Sequence, residues 1–141
     1  VEYINYKNII LAIIIRSDFQ KEGIEFFTPD SFSQQVAYMK RGFEYSIQPH
    51  VHKIVKRDID ITQEVLLIKS GKVRVDFYNN KKKYIESKIL LKGDVILLAD
   101  GGHGFKMLED SEIIEVKQGP YAGDMDKERF NSVLDKDIKI L

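Results

Sequence analysis

The chain consists largely of short segments with the two-residue periodicity of β-strands, and this pattern constrains its fold more than any other feature. In Lys72–Tyr78, Val73 and Val75 alternate with Arg74 and Asp76, so apolar and charged side chains are expected on opposite faces of one strand. The isoleucine-rich run Ile9–Ile15 is far shorter than the roughly 18 residues that a membrane-spanning helix needs, and it predicts a buried strand.

Nine such segments follow one another at roughly even spacing, separated by turns rich in glycine, asparagine and aspartate. They predict strands over 9–15, 24–28, 36–48, 63–69, 72–78, 84–91, 95–98, 104–108 and 112–117. A helical pattern occurs only near the end, where Asp126 is a candidate cap and Phe130, Val133 and Leu134 form an apolar stripe. The pattern therefore predicts one all-β domain over residues 1–141, a sandwich or barrel with a short C-terminal helix.

Composition excludes several classes of protein. The 22 basic and 22 acidic residues balance, which argues against a nucleic-acid or anionic-membrane partner and against a DNA-binding transcription regulator. The absence of cysteine excludes disulfides, thiolate metal sites and a cysteine nucleophile. No targeting signal is recognisable in the chain, which favours a cytoplasmic location.

The histidines indicate a metal site. The sequence His50-Val51-His52, read as part of a strand, places two imidazoles on one face about 7 Å apart. Glu64 is the one charged residue ahead of four apolar ones, and a buried carboxylate needs a partner such as a metal. His103, the only other histidine, lies in a glycine-rich segment, Gly101–Gly104, which allows tight curvature of the backbone.

These residues resemble the two motifs of the cupin superfamily. The first motif corresponds to Gly42, the His50-Val51-His52 triplet, Glu64 and Gly71. The second corresponds to Gly93-Asp94 followed by Gly101-Gly102-His103. The resemblance covers about residues 42–107 and implies a double-stranded β-helix, or jelly-roll, barrel.

The resemblance also implies one divalent transition metal (iron, manganese, nickel, cobalt or zinc), with His50, His52, Glu64 and His103 as its ligands. This sequence departs from the usual motifs in the long interval 53–63, which suggests a hairpin near the barrel mouth. It also has Ala99 at the position of the usual proline and Met107 at that of the usual asparagine.

The expected function is a metal-dependent enzyme that acts on a small polar metabolite, such as a sugar or a keto or hydroxy acid, by isomerase, lyase or oxygenase chemistry. The alternative is a non-catalytic sugar- or metabolite-binding cupin. Strand alternation places Phe105 and Met107 beside His103 as candidate substrate contacts, although core packing explains them as well. The residues Glu115 and Lys117 are either an acid–base pair or part of a solvent-facing strand surface.

A homodimer is also expected, because short strands leave sheet edges that need cover. The segment Ile9–Ile15 is apolar on both faces, so it is the candidate strand for that contact, and cupins commonly pair through outer strands of this kind.

Overall fold

The structure is a computed structural model that describes all 141 residues. It divides into two compact units, one formed by Val1–Phe19 together with Thr62–Leu141 and the other by Gln20–Ile61. Every strand pair is antiparallel and the chain contains no α-helix, so the all-β prediction is confirmed. No helix has the length and apolar content needed to cross a membrane.

The first unit contains two sheets. Eight strands form them: β1 (Glu2–Tyr6), β2 (Ile9–Ile15), β5 (Glu64–Ser70), β6 (Lys72–Tyr78), β7 (Tyr84–Leu91), β8 (Val95–Leu98), β9 (Gly102–Met107) and β10 (Glu112–Lys117). The larger sheet has the order β1-β2-β8-β5-β10 and the smaller has the order β7-β6-β9. The strand β2 therefore lies inside its sheet, between β1 and β8, and does not offer the sheet edge at which pairing through Ile9–Ile15 was expected.

The hydrophobic core lies between these two sheets. It takes side chains from β1, β2, β5 and β8 of the larger sheet and from β6 and β7 of the smaller one. Its members are Ile4, Leu11, Ala12, Ile14, Leu66, Ile68, Val73, Val75, Phe77, Leu90, Ile96 and Leu98. The first unit is thus a sandwich of two antiparallel sheets, and its strands do not close into a barrel.

The two sides of the sandwich differ. On one side, Lys88 of β7 forms an ion pair with Glu2 of β1 at 2.9 Å, and Arg16 donates a hydrogen bond to the carbonyl oxygen of Ile89 at 2.8 Å. On the other side the two sheets end in β9 and β10, whose inward-facing side chains remain partly exposed, as for Met107 at 50%. The candidate site lies at this open side.

The predicted C-terminal helix does not form. Residues 126–134 contain no helix, and the only helical element near the end is a 3-10 helix at Asp135–Asp137. Two residues of the apolar stripe contact the smaller sheet instead: the Phe130 ring lies 5.0 Å from the Tyr78 ring, and the backbone N–H of Val133 donates to the Tyr78 hydroxyl at 3.0 Å. The third, Leu134, is 61% exposed. These tertiary contacts replace the intrahelical hydrogen bonds on which the helix prediction relied.

The C-terminal segment covers the charged face of β6. Both Arg74 and Asp76 are buried, and the Arg74 guanidinium donates to the two Asp76 carboxylate oxygens at 2.8 and 3.0 Å. It also donates to Asp135 at 3.0 Å, and Ser87 donates its hydroxyl to Asp76. The expected alternation of β6 is present, but its polar face is an enclosed hydrogen-bonded network and not a solvated surface.

The second unit has little regular structure. A two-stranded sheet pairs β3 (Gly23–Phe26) with β4 (Ala37–Lys40). Residues 41–63 form no strand, so two predictions are wrong: His50 and His52 do not lie on a strand, and 53–63 is not a hairpin. Pro49 has no backbone N–H to donate to a neighbouring strand. Apolar residues near it, such as Phe43 and Ile54, are 96% and 103% exposed, so this segment does not pack against a core that would hold it in a sheet.

Candidate functional site

The centre of the candidate site in the first unit is a pair of side chains from different sheets. The His103 imidazole of β9 lies 3.2 Å from the Glu64 carboxylate of β5, measured from Nε2 to Oε2. The two residues are far apart in the sequence, so it is the packing of the two sheets that brings them together. The Glu64 residue is buried at 8% exposure, whereas 31% of the His103 side chain is exposed.

Local backbone geometry orients His103. Gly101 has φ +70°, and a Cβ atom there would lie 2.4 Å from the Tyr78 carbonyl oxygen, so glycine alone fits this turn. The strand then pairs His103 with Phe77. Directly paired residues of an antiparallel ladder share a face, and Phe77 belongs to the core, so His103 points to the interior side of the sandwich.

The position of Glu64 at the start of β5 determines its surroundings. Glu64 lies two residues before Leu66 and four before Ile68, and both of these belong to the core. The Glu64 side chain therefore shares their face and points to the interior side. The hydrogen bond from His103 lowers the Glu64 pKa below its ordinary value, although burial acts in the opposite direction. The positive charges of Lys117 and Lys127 lower this pKa further. Glu64 is therefore an ionised carboxylate, which is the form that binds a cation.

A carboxylate and an imidazole at this separation fit two ligands of one metal ion. Metal–oxygen and metal–nitrogen bonds are about 2.1 Å long, so two ligand atoms lie about 3.0 Å apart at a right angle and about 3.4 Å apart at a tetrahedral angle. The Glu64–His103 distance of 3.2 Å falls between these values. It is also a hydrogen-bonding distance, and the structure contains no group of three or more His, Asp or Glu side chains that could hold a metal.

Charged residues from two further segments surround the pair. Lys117 of β10 is the register partner of Glu64, and its Nζ lies 3.7 Å from the Glu115 carboxylate. Burial would lower the Lys117 pKa, but the charges of Glu115 and Glu64 outweigh it and raise that pKa. The Thr62 hydroxyl donates to Asp126 at 3.1 Å and so fixes the segment that carries Lys127 beside the start of β5.

The strand β9 extends the site with apolar side chains. The Phe105 ring lies 5.5 Å from the His103 ring, as the predicted strand alternation requires. Register places Phe105 opposite Val75 and Met107 opposite Val73, which are both core residues. The side chains of Phe105 and Met107 nevertheless remain 38% and 50% exposed. They are an accessible apolar extension of the core next to the Glu64–His103 pair.

The other two predicted ligands lie in the second unit. The His50 and His52 rings are 5.2 Å apart in an edge-to-face arrangement, and His50 Nδ1 lies 3.1 Å from the Gln48 carbonyl oxygen. Both residues are exposed. The structure thus places the four predicted ligands in two separate pairs, one in each unit.

Sequence reasoning misassigned one strand face and missed one residue. In β10 the charged side chains Glu115 and Lys117 pair with the interior positions Leu66 and Glu64, while Ile114 and Val116 are 51% and 59% exposed. The expectation that Ile114 and Val116 lie inside is therefore wrong, whereas Glu115 is 46% exposed and Lys117 28% exposed. No sequence pattern indicates that Lys127 lies near Glu64, because its position there depends on the hydrogen bond between Thr62 and Asp126.

Comparison with known proteins adds no relative. The chain matches no protein-family model, no curated protein and no solved structure.

Proposed function

We propose that this chain is a metal-binding protein of the cupin type. The resemblance to the cupin motifs supplies the four proposed ligands, His50, His52, Glu64 and His103, which form two separate pairs in the structure. All four would bind one divalent transition metal: iron, manganese, nickel, cobalt or zinc. The observation that carries the proposal is the Glu64–His103 pair, in which an ionised, buried carboxylate meets an imidazole from the opposite sheet at 3.2 Å. Three imidazoles and one carboxylate without thiolate suit a first-row metal that keeps open coordination positions.

We propose further that the protein is an enzyme acting on a small polar metabolite, such as a sugar or a keto or hydroxy acid. The bound metal would supply Lewis-acid polarisation of a substrate oxygen. The Phe105 and Met107 side chains would contact the carbon skeleton of the substrate beside His103. The cationic Lys117, next to Glu64 in register, would keep that carboxylate ionised.

The test of the metal site is elemental analysis of protein purified without a histidine tag. Wild-type protein is expected to hold one equivalent of metal. His50→Ala, His103→Ala and Glu64→Gln are each expected to weaken metal binding by orders of magnitude, because each removes one of four ligands. The matched control is Glu112→Gln, which changes an exposed carboxylate at the far end of β10 and should retain the full equivalent.

Full stoichiometric metal in both His50→Ala and His103→Ala would exclude this ligand set. The pH dependence gives a second readout. The histidine side chain of model peptides has a pKa of about 6.5, and only a neutral imidazole binds metal, so protons compete with the metal for each of the three imidazoles. Binding should therefore weaken steeply below about pH 6, with proton release that calorimetry in buffers of different ionisation enthalpy counts.

Turnover separates the enzyme from the binding module. The metal-loaded protein is incubated with a panel of sugars, keto acids and hydroxy acids, and both conversion and binding are followed. Conversion that is lost in Glu64→Gln supports the enzyme. Saturable binding without conversion supports instead a non-catalytic cupin in which the metal anchors the ligand.

A further inference from the structure

The strand β10 combines an outer sheet edge with an exposed apolar face. It is the last strand of the larger sheet, after β5. Register places Ile114 beside Leu67 and Val116 beside Val65, so four apolar side chains form a two-by-two group on the outer face of this edge. We call Val65, Leu67, Ile114 and Val116 the outer quartet. Its members on β10 are more than half exposed.

The backbone of β10 is suited to further pairing. The pairing with β5 is regular from Ile113 onward, since the only register shift lies between Glu112 and Ile113. The N–H of Gln118 donates to the Gln63 carbonyl, so even-numbered positions of this stretch point toward β5. Alternation then directs the N–H groups of Ile113, Glu115 and Lys117 to the outer edge, and the strand contains no proline.

We propose that β10 is the dimer interface of this protein, pairing antiparallel with β10 of a second copy about a two-fold axis at Val116. This register places Glu115 opposite Lys117 of the second copy, and the symmetry repeats the pair. Both residues lie on the same face of the strand and at positions whose backbone groups point outward. Two cross-strand pairs of opposite charge thus lie on one face of the ladder, one on each side of a central Val116–Val116 pair whose side chains lie on the other face.

Charge complementarity selects this register over its neighbours. A two-fold axis at Glu115 would place two Glu115 carboxylates directly opposite each other, which destabilises a ladder. An axis at Ile114 would place Glu115 opposite Ile113 and leave the carboxylate without a cation. Only the axis at Val116 pairs each Glu115 with a Lys117, and it joins the outer quartets of the two copies into one apolar surface.

Cysteine crosslinking tests the register directly, because the chain contains no cysteine of its own. At Val116 the two Cα atoms would form a non-hydrogen-bonded pair about 4.5 Å apart, within the range that a disulfide spans. Val116→Cys is therefore expected to give a covalent dimer on oxidation. Ile114→Cys, equally exposed on the same face, is the matched control, since its two copies would lie about 13 Å apart.

Charge reversal tests the interface in solution. Light scattering of the wild-type chain is expected to give twice the 16.4 kDa mass. Glu115→Lys and Lys117→Glu each oppose like charges at two pairs, and each is expected to raise the dissociation constant about tenfold or more. An equimolar mixture of the two variants restores opposite charges at both pairs and should form a heterodimer with close to wild-type affinity.

The outcomes separate this proposal from its alternatives. A wild-type mass of 16.4 kDa up to the solubility limit would overturn it. A dimer that neither reversal weakens, or one that crosslinks through Ile114→Cys and not through Val116→Cys, would place the interface elsewhere or in another register. Crosslinking does not depend on metal content, so failure of the dimer leaves the metal proposal unaffected, and the reverse also holds.

Discussion

The variant Arg74→Leu tests whether the polar face of β6 is an enclosed ion pair. The Arg74 side chain is 10% exposed and that of Asp76 is 5% exposed. The guanidinium donates to both carboxylate oxygens. The substitution would leave the Asp76 carboxylate buried with a single neutral donor, the hydroxyl of Ser87.

The expected loss of stability follows from that burial. Removal of one partner from a buried ion pair costs about 3–5 kcal/mol, because the remaining charge is neither solvated nor paired. The double variant Arg74→Leu/Asp76→Leu removes both charges, and apolar replacement of a whole buried pair is often close to neutral. In that variant Ser87 keeps the Tyr84 hydroxyl as a partner at 2.8 Å. The double variant should therefore be more stable than the Arg74→Leu single variant.

Urea unfolding followed by far-ultraviolet circular dichroism measures these free energies. The matched control is Arg129→Leu, which breaks an ion pair with Asp124 at 3.1 Å whose side chains are 72% and 75% exposed. Such exposed pairs contribute about 0–1 kcal/mol. If Arg74→Leu costs no more than Arg129→Leu, or if the double variant is the least stable, the burial argument is wrong.

Two further predictions concern the sandwich. The hydrogen bond from Arg16 lowers the Glu2 pKa, and Lys88 lowers it further, although burial acts in the opposite direction. The ionised Glu2 carboxylate therefore stabilises the fold fully above the unfolded glutamate pKa of about 4.3. This stabilisation is lost as the pH falls through the pKa of Glu2 in the folded protein. The urea midpoint of Glu2→Gln should therefore lie below that of the wild type at pH 7 and approach it near pH 3, and a gap independent of pH would contradict the linkage. Gly101→Ala should cost more than about 2 kcal/mol, because its Cβ would meet the Tyr78 carbonyl at 2.4 Å. Gly123→Ala has a similar positive φ but open space around it and should cost about 1 kcal/mol; equal losses in the two alanine variants would refute the steric argument.

Strand periodicity predicted most of the first unit. The segments Ile9–Ile15, Lys72–Tyr78, Tyr84–Leu91, Val95–Leu98 and Glu112–Lys117 have the predicted bounds, because apolar content and alternation there agree with turn residues at each end. The first strand, 2–6, was missed. Its sequence EYINY is half polar, and only Ile4 is buried in the core, with Tyr6 packed against it. Its strand structure therefore depends on pairing with β2.

Predictions failed where a segment depends on distant contacts. The stripe of Phe130, Val133 and Leu134 satisfies helical spacing, but a helix of that length is marginal without a partner. In the structure the Tyr78 ring contacts Phe130 and the Tyr78 hydroxyl accepts a hydrogen bond from the Val133 backbone, and the segment forms no helix. The same segment encloses Arg74 and Asp76, which is why a strand with a regular apolar and charged alternation is buried on both faces. Alternation in the sequence predicts which side chains share a face of a strand, but it does not predict which other segment covers that face.

The Glu64–His103 pair shows which part of the site was accessible to sequence reasoning. A carboxylate at the head of the apolar strand 64–70 cannot be buried alone, so the sequence by itself implies that Glu64 has a partner. The identity of that partner depends on how two sheets stack, and the charge of Lys117 reaches Glu64 only through the β5–β10 register. The local sequence therefore shows that Glu64 needs a partner, but only the tertiary structure shows which residue that partner is. For this reason the charge-bearing positions of β5, β9 and β10 must be considered together in any assignment of function to the open side of the sandwich.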